Sequence, residues 1–419
     1  FVNELEIVLR DGFIMNRSHR KVFIDIFTCD APARALVKGI VSHTGYNSCE
    51  RSTVRGVSMQ GRIVYNEREA GVVPRSDEGF RDGNYFEGPN SHQHEESPLL
   101  PLDDIRFITD FPLDYMHLAC LGVQKRMLKY FKGSFKGINT MKLSELMLNR
   151  ISSGPSGLTN CKLPSEFNRQ PRTLSDLEHW KATEFRSFML YTGMVVLRPV
   201  IPRDVYHHFL SFSVAMRMLC EYDNDKRNAY VESARQLLKY FVYNAHEHYG
   251  LYFTVYNIHN LLYLPDDVMN QGRCLDEISA FAFENYYGTL KRLARGRKSP
   301  MVQVVKRLDE YSRFRTYTPK NVQTVDCAVN SWFSVVDGYI QIKEISRVGL
   351  LVDHYRAGQV DNFFTDFIKS VEVGVVLIKK NLPSLRKCIQ KTEIKRKCAC
   401  LPYKDSKVLI ELLHPFKPE

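Results

Sequence analysis

The sequence predicts an α-rich α/β protein that ends in a small β-rich C-terminal region. Three observations predict it. Residues 21–29, Lys-Val-Phe-Ile-Asp-Ile-Phe-Thr-Cys, are nearly continuous in β-branched and aromatic side chains. They read as a buried strand running into a helix start at Asp30. Residues 205–221 and 229–248 repeat apolar side chains at helical spacing, the latter on a stripe of Val231, Ala234, Leu237, Leu238, Phe241 and Val242. After about residue 320 the segments become short and β-branched, broken by Asp-Gly and Pro.

In chain order, Phe1-Val-Asn-Glu-Leu-Glu-Ile-Val-Leu-Arg reads as an amphipathic helix stopped by Asp11-Gly12. The strand at 21–29 follows. Asp30 is the candidate N-cap of the next helix, with Pro32 in its first turn. Residues 60–105 are rich in Gly, Pro, Asn, His and charge and read as a long mobile loop, with His92 and His94 solvated rather than ligating a metal. From 113 to 264 the pattern is helical, with a polar break at 151–176. Residues 284–315 form a basic helical region, and strands are expected near 332–336, 339–343, 372–378 and 407–413.

Composition bounds the function. The chain has 419 residues, enough for two or three domains, with 44% hydrophobic and 25% charged residues, as in soluble globular proteins. Its net charge of +11 favours a polyanionic partner, nucleic acid or an anionic membrane surface, although an ordinary basic protein would look the same. Ten cysteines scattered through apolar runs fit a reducing compartment. No apolar run approaches the ~18 residues that span a bilayer. A start at Phe1, with no Met and no signal or transit-like segment, is expected of a fragment, a trimmed chain or an incomplete gene model.

Three places hold candidate chemistry. Asp30 stands at the C-terminal end of a strand, where α/β proteins place active groups, yet capping the following helix would suffice to explain it. Asp114 and His117 share a helix face in Leu-Asp-Tyr-Met-His and could organise a site or merely begin a helix. Glu284 lies in an aromatic stretch followed by Lys291, Arg292, Arg295, Arg297 and Lys298, a set that suits phosphate contacts beside an acid as well as a plain solvated face.

The order and wording of these places resemble the CACTA (En/Spm) family of cut-and-paste DNA transposases. Cys29-Asp30-Ala-Pro-Ala, then Gly45-Tyr-Asn-Ser-Cys49-Glu-Arg, is similar to that family's second-aspartate block. Leu113-Asp114-Tyr-Met-His117 resembles its Asp-x-x-His block, and Trp180-Lys-Ala-Thr-Glu184 its Lys-Ala/Ser-x-acid helix. Ile258-His259-Asn-Leu-Leu with Phe281-Ala-Phe-Glu284-Asn-Tyr-Tyr-Gly-Thr-Leu-Lys291 resembles the block of the last catalytic glutamate, and Lys397-Cys-Ala-Cys400-Leu-Pro-Tyr the tail of arthropod copies.

The resemblance implies a partial RNase H-like core interrupted by a helical insertion. Residues 1–117 would form the partial core, 118–275 the insertion, 276–320 the helix completing the core, and 321–419 the β-rich module. It implies three acids holding two Mg²⁺ (or Mn²⁺) ions for in-line attack on a phosphodiester. Asp30 would be the second acid and Glu284 the third, close together in space, with Asp114 and His117 organising the site. Lys291, Arg292, Arg295, Arg297 and Lys298 would hold double-stranded DNA at transposon ends. The resemblance leaves room for a homo-oligomer, needs no membrane and no small-molecule substrate, and places the protein in the nucleus.

Two departures bear on activity. The family's first aspartate has no matching position here, and Asp25, five strand residues from Asp30, would face the opposite side. Ser52 stands where the family's Cys-x-x-Cys has its second cysteine after Cys49, and a hydroxyl is a poor Zn²⁺ ligand, so zinc is not expected. The sequence therefore reads as a fragment of a DNA nuclease and strand transferase, inactive as it stands. The other readings are a non-catalytic DNA- or chromatin-binding protein and a degenerate pseudogene product.

Overall fold

The computed structural model describes all residues except 1, 16, 66–70, 89–90, 136–140, 297, 315–326 and 414–419. The chain forms two compact units, Phe1–Lys142 with Asp223–Ala280, and Leu143–Tyr222 with Phe281–Glu419. The protein is mixed α and β, and every described strand pairing is antiparallel. No described helix is long and apolar enough to cross a membrane.

In the first unit the helix Val2–Asp11 precedes a short hairpin, Phe13–Met15 with Ser18–Arg20. Residues 21–29 form no strand, which corrects the expectation. β-branched and aromatic residues favour a strand, but a strand also needs a ladder. Here Phe27 donates one bond, to the carbonyl of Asp110 at 2.8 Å. Side-chain packing holds the segment instead. Ile24 and Phe27 lie against a core that includes Phe80, Phe107 and Phe111, with Phe27 stacked on Phe111 at 4.5 Å.

The helix Ala31–Lys38 follows, capped by Asp30 and closed by Gly39 at φ 66°. A Cβ at Gly39 would meet the Glu95 carbonyl oxygen at 2.2 Å, so both the turn and the close approach require glycine.

Of the expected mobile loop at 60–105, the described residues include regular elements and buried side chains. It contains the strand Arg62–Val64, paired with Val57–Met59, and the helix Asp77–Arg81. His92 is buried, its Nδ1 2.7 Å from the Asn47 carbonyl oxygen, while His94 is exposed. The reason is that arginines satisfy the turn-rich backbone. Arg81 alone donates to the carbonyls of Leu100, Leu102 and Ile105.

The helical stretches of this unit match their periodicity. Met116–Gln124 is wound as a π-helix and continues as Lys125–Lys132. Asn224–Tyr249 buries Val231, Ala234, Leu237, Leu238, Phe241 and Val242 on one stripe. Tyr256–Asn260 and Leu264–Gln271 complete it.

In the second unit, Arg203–Leu219 is buried almost throughout. The helices Phe281–Leu293 and Pro300–Phe314 pack on each other as a hairpin. The C-terminal region is one eight-stranded sheet: β1 (Trp332–Val335), β2 (Gly338–Ile345), β3 (Leu350–Arg356), β4 (Asp361–Asn362), β5 (Val375–Ile378), β6 (Leu385–Ile389), β7 (Ile394–Tyr403) and β8 (Ser406–Glu411), in the order β6-β3-β2-β1-β7-β8-β5-β4. Arg217, 1% exposed, ties Arg203–Leu219 to this sheet by donating to the carbonyls of Val373 and Glu411.

Candidate functional site: buried acids and a cationic hairpin

Asp30 is a helix cap. Its Oδ1 accepts the amide of Ala33 at 2.8 Å, and the side chain is half-buried. One turn later Arg34 fixes the backbone beneath it, donating Nη1 to the Cys29 carbonyl at 2.7 Å and Nε to Glu50 at 2.9 Å. Lys38 donates to the other Glu50 oxygen at 3.0 Å and Tyr256 to the first at 2.8 Å. Burial alone would raise the Glu50 carboxyl, but Arg34, Lys38 and Arg51 hold it well below the usual carboxylate range. A buried charge is tolerated only with partners of this kind.

Asp114 and His117 come together as the sequence suggested. Asp114 is 2% exposed. Its Oδ2 accepts His117 Nδ1 at 2.5 Å and the His117 amide at 3.1 Å; its Oδ1 accepts the amides of Ala280 at 2.8 Å and Met116 at 3.3 Å. A carboxylate can only accept, so Nδ1 carries the hydrogen of this bond. Ala280 is the residue before the helix that holds Glu284, so Asp114 pins the point at which the first unit ends. Asp25 is engaged by both Nη atoms of Arg273, which removes it further from any part in a site.

Cys49 and Ser52 also meet, within a larger set. Ser52 Oγ lies 3.3 Å from Cys49 Sγ and 2.8 Å from Tyr263 Oη, and Tyr263 Oη lies 3.5 Å from His259 Nε2. Burial would raise the Cys49 thiol, but the neighbouring His259 imidazole and Ser52 hydroxyl bring it down to about 6. The set offers one thiolate and one imidazole; its two hydroxyls are poor zinc donors, so these residues do not fit a closed zinc site.

Glu284 lies exposed in the first turn of Phe281–Leu293, in the second unit, whereas Asp30 belongs to the first. Among the described residues no three His, Cys, Asp or Glu side chains gather as a metal cage. Asp30 offers a divalent ion one carboxylate with one oxygen already bonded to its helix. Asp30 by itself does not make up the several oxygens that Mg²⁺ takes.

The basic set lies on the exposed hairpin. Lys291 Nζ lies over the Tyr287 ring at 4.4 Å and Arg292 donates to Thr289. Gln303 clamps the loop between the helices: it accepts the amides of Arg295 and Gly296 and donates to the carbonyls of Gly296 and Lys298 at 3.1 and 2.6 Å. Arg295 and Lys298 are exposed; Arg297 lies outside the described residues. The Lys181–Glu184 block is structural. Glu184 caps its helix by accepting the Lys181 amide and receives a bidentate bond from Arg172.

Sequence reasoning missed Arg34, Glu50, Tyr263 and Gln303, and gave His259 only as part of the last-glutamate block. The adjacent acid and cation at Glu50-Arg51, inside an otherwise polar turn, were the one visible signal. Compared with known proteins, the chain matches no family model, no curated protein and no solved structure.

Proposed function

We propose that this chain binds double-stranded DNA as a protein of the CACTA transposase kind, gripping phosphates through its cationic helical hairpin. The observation that supports this best is the Gln303 clamp, which fixes the loop of Arg295 and Lys298 while leaving both side chains in solvent. A loop held by backbone bonds presents its cations at little entropic cost, as a phosphate surface should. The reading includes an RNase H-like core, nuclear location and, as the activity of proteins of that kind, strand cleavage and transfer on Mg²⁺ or Mn²⁺. Asp30 and Glu284 are the acids it assigns.

The test is duplex binding by fluorescence anisotropy across salt. Each neutralised phosphate should contribute about −0.9 to the log–log slope. Changing Lys291, Arg292, Arg295 and Lys298 to Gln should flatten that slope by three or more units. Binding indifferent to salt, or to these four changes, overturns the reading. A non-catalytic DNA- or chromatin-binding role is the second reading, favoured by the use of Asp30 as a helix cap.

A further inference from the structure

The C-terminal sheet has a second cationic feature, unlike the hairpin in shape. A pocket of about 430 Å³ opens on it, large enough for a small organic ligand. Its floor is aromatic and apolar. Trp332, the first residue of β1, and Tyr355, in β3, lie with ring centroids 5.3 Å apart and planes at 31°, beside the end of β5 at Ile378. Trp332 is buried and Tyr355 half-buried, so Tyr355 is the ring a ligand can reach.

Its rim is lysine. Lys379, Lys380, Lys404 and Lys407 all line it and all are exposed, against one acid, Asp405. Lys379 is paired with Asp361 at 2.7 Å. Lys407 Nζ stands over the Trp332 ring at 5.3 Å. Lys404 sits in the two-residue turn joining β7 to β8 with φ 50°, a left-handed position that favours glycine. A non-glycine residue kept in such a conformation points to a use for its side chain.

We propose that this pocket binds a nucleotide unit of single-stranded DNA, with the phosphate on Lys380, Lys404 and Lys407 and the base against Tyr355. The chemistry selects this ligand. Lysines without a carboxylate framework suit phosphate, and an accessible ring suits a π-face. In a duplex the base faces are covered by their neighbours, so only an unpaired base can use the floor. A basic peptide is repelled, and an acidic peptide leaves the aromatic floor without a partner.

The experiment uses the full chain with Trp180→Phe, which leaves Trp332 as the single tryptophan. Titration with a twelve-residue oligothymidylate should change Trp332 fluorescence saturably. Tyr355→Leu should weaken binding about tenfold or more, as loss of one base–aromatic stack does. Lys380→Gln with Lys404→Gln should weaken it and lower the salt slope by about 1.4. Lys239→Gln with Lys369→Gln, an equal charge change elsewhere, should leave it unaltered. Near-ultraviolet circular dichroism shows which variants are folded.

The proposal is overturned if the folded Tyr355 and lysine variants bind as the parent does. It is equally overturned if a duplex of the same length binds this site as tightly, or if thymidine monophosphate or inorganic phosphate does so, which would make it a small-anion site. Equal binding of polyglutamate would reassign it to an acidic peptide. Duplex binding through the hairpin is read separately, so either result stands without the other.

Discussion

The Asp114 carboxylate takes the Nδ1–H of His117 at 2.5 Å on one oxygen and the amide of Ala280 at 2.8 Å on the other. One buried group thus orients an imidazole and fixes a chain segment far away in sequence. Asp114→Ala would leave buried amides without an acceptor, each such loss costing about 1–3 kcal/mol. Stability should fall by about 3 kcal/mol in urea unfolding. His117→Ala, which removes one partly exposed donor and leaves Asp114 Oδ2 its amide bond, should cost about 1 kcal/mol. Equal effects would mean that His117, not the Ala280 amide, is the main reason for Asp114.

His92 makes stability depend on pH. Burial, with Arg75 and Lys38 nearby, lowers its pKa to about 3. The folded state therefore keeps it neutral while the unfolded chain, near 6.5, takes up a proton. With the unfolded state binding more protons, stability falls as pH drops from 6.5 toward 3. His92→Gln should lose about 2 kcal/mol less than the parent between pH 7 and pH 5. All other titrating groups are common to both proteins and cancel in that difference. Parallel pH profiles would count against a neutral buried His92.

Gln303 should matter to DNA without touching it. Gln303→Ala removes the clamp on the Arg295 and Gly296 amides but no charge. Duplex affinity should fall by about threefold to tenfold, equivalent to ordering one or two side chains on binding. The salt slope should stay as it was. Lys298→Gln should instead lower the slope by about 0.9. Anisotropy at four salt concentrations separates the two.

What was legible in the sequence was local. The Asp30 cap and the Val231–Val242 stripe depend on residues within one helix, and both appear as read. The strand at 21–29 did not, because a ladder needs a partner that composition cannot supply. The packed course of 60–105 was hidden for the same reason. Among its described residues the order rests on Arg81 and on Arg75, which reaches the carbonyls of Cys49 and Ser52. Half of the sheet also escaped: β7 begins Ile-Lys-Arg-Lys, whose charges obscure a strand that buries Lys397 against Glu166 at 2.7 Å. Cys49-x-x-Ser52 was visible as a motif, but Tyr263 joins it from 211 positions away.

That set makes a positive test possible. Ser52→Cys with Tyr263→His would turn one thiol, one imidazole and two hydroxyls into a Cys₂His₂ donor set. The double variant should bind one zinc ion per chain, and a chelator should then lower its melting temperature. The parent should show neither effect. Metal analysis after gel filtration decides it. An equally zinc-loaded parent would mean that Cys49 and His259 already suffice.

Two-metal hydrolysis needs carboxylates that bridge both ions at one phosphate. The resemblance supplies two acids, Asp30 and Glu284, and no counterpart of the first. Asp30 has Oδ1 bonded to the Ala33 amide, so binding an ion would compete with its own helix cap. Loss of a single preorganised oxyanion donor costs on the order of 3–4 kcal/mol of transition-state stabilisation, or roughly a hundredfold to a thousandfold in rate, and a missing metal ligand should cost more. We therefore expect no appreciable nicking of supercoiled plasmid by the purified chain with either Mg²⁺ or Mn²⁺. The control is Asp30→Ala with Glu284→Ala, both positions where the loss of a carboxylate is readily compared. Metal-dependent nicking that this double change abolishes would mean that another residue of this chain provides the first acid, and that Asp30 leaves its cap to bind metal.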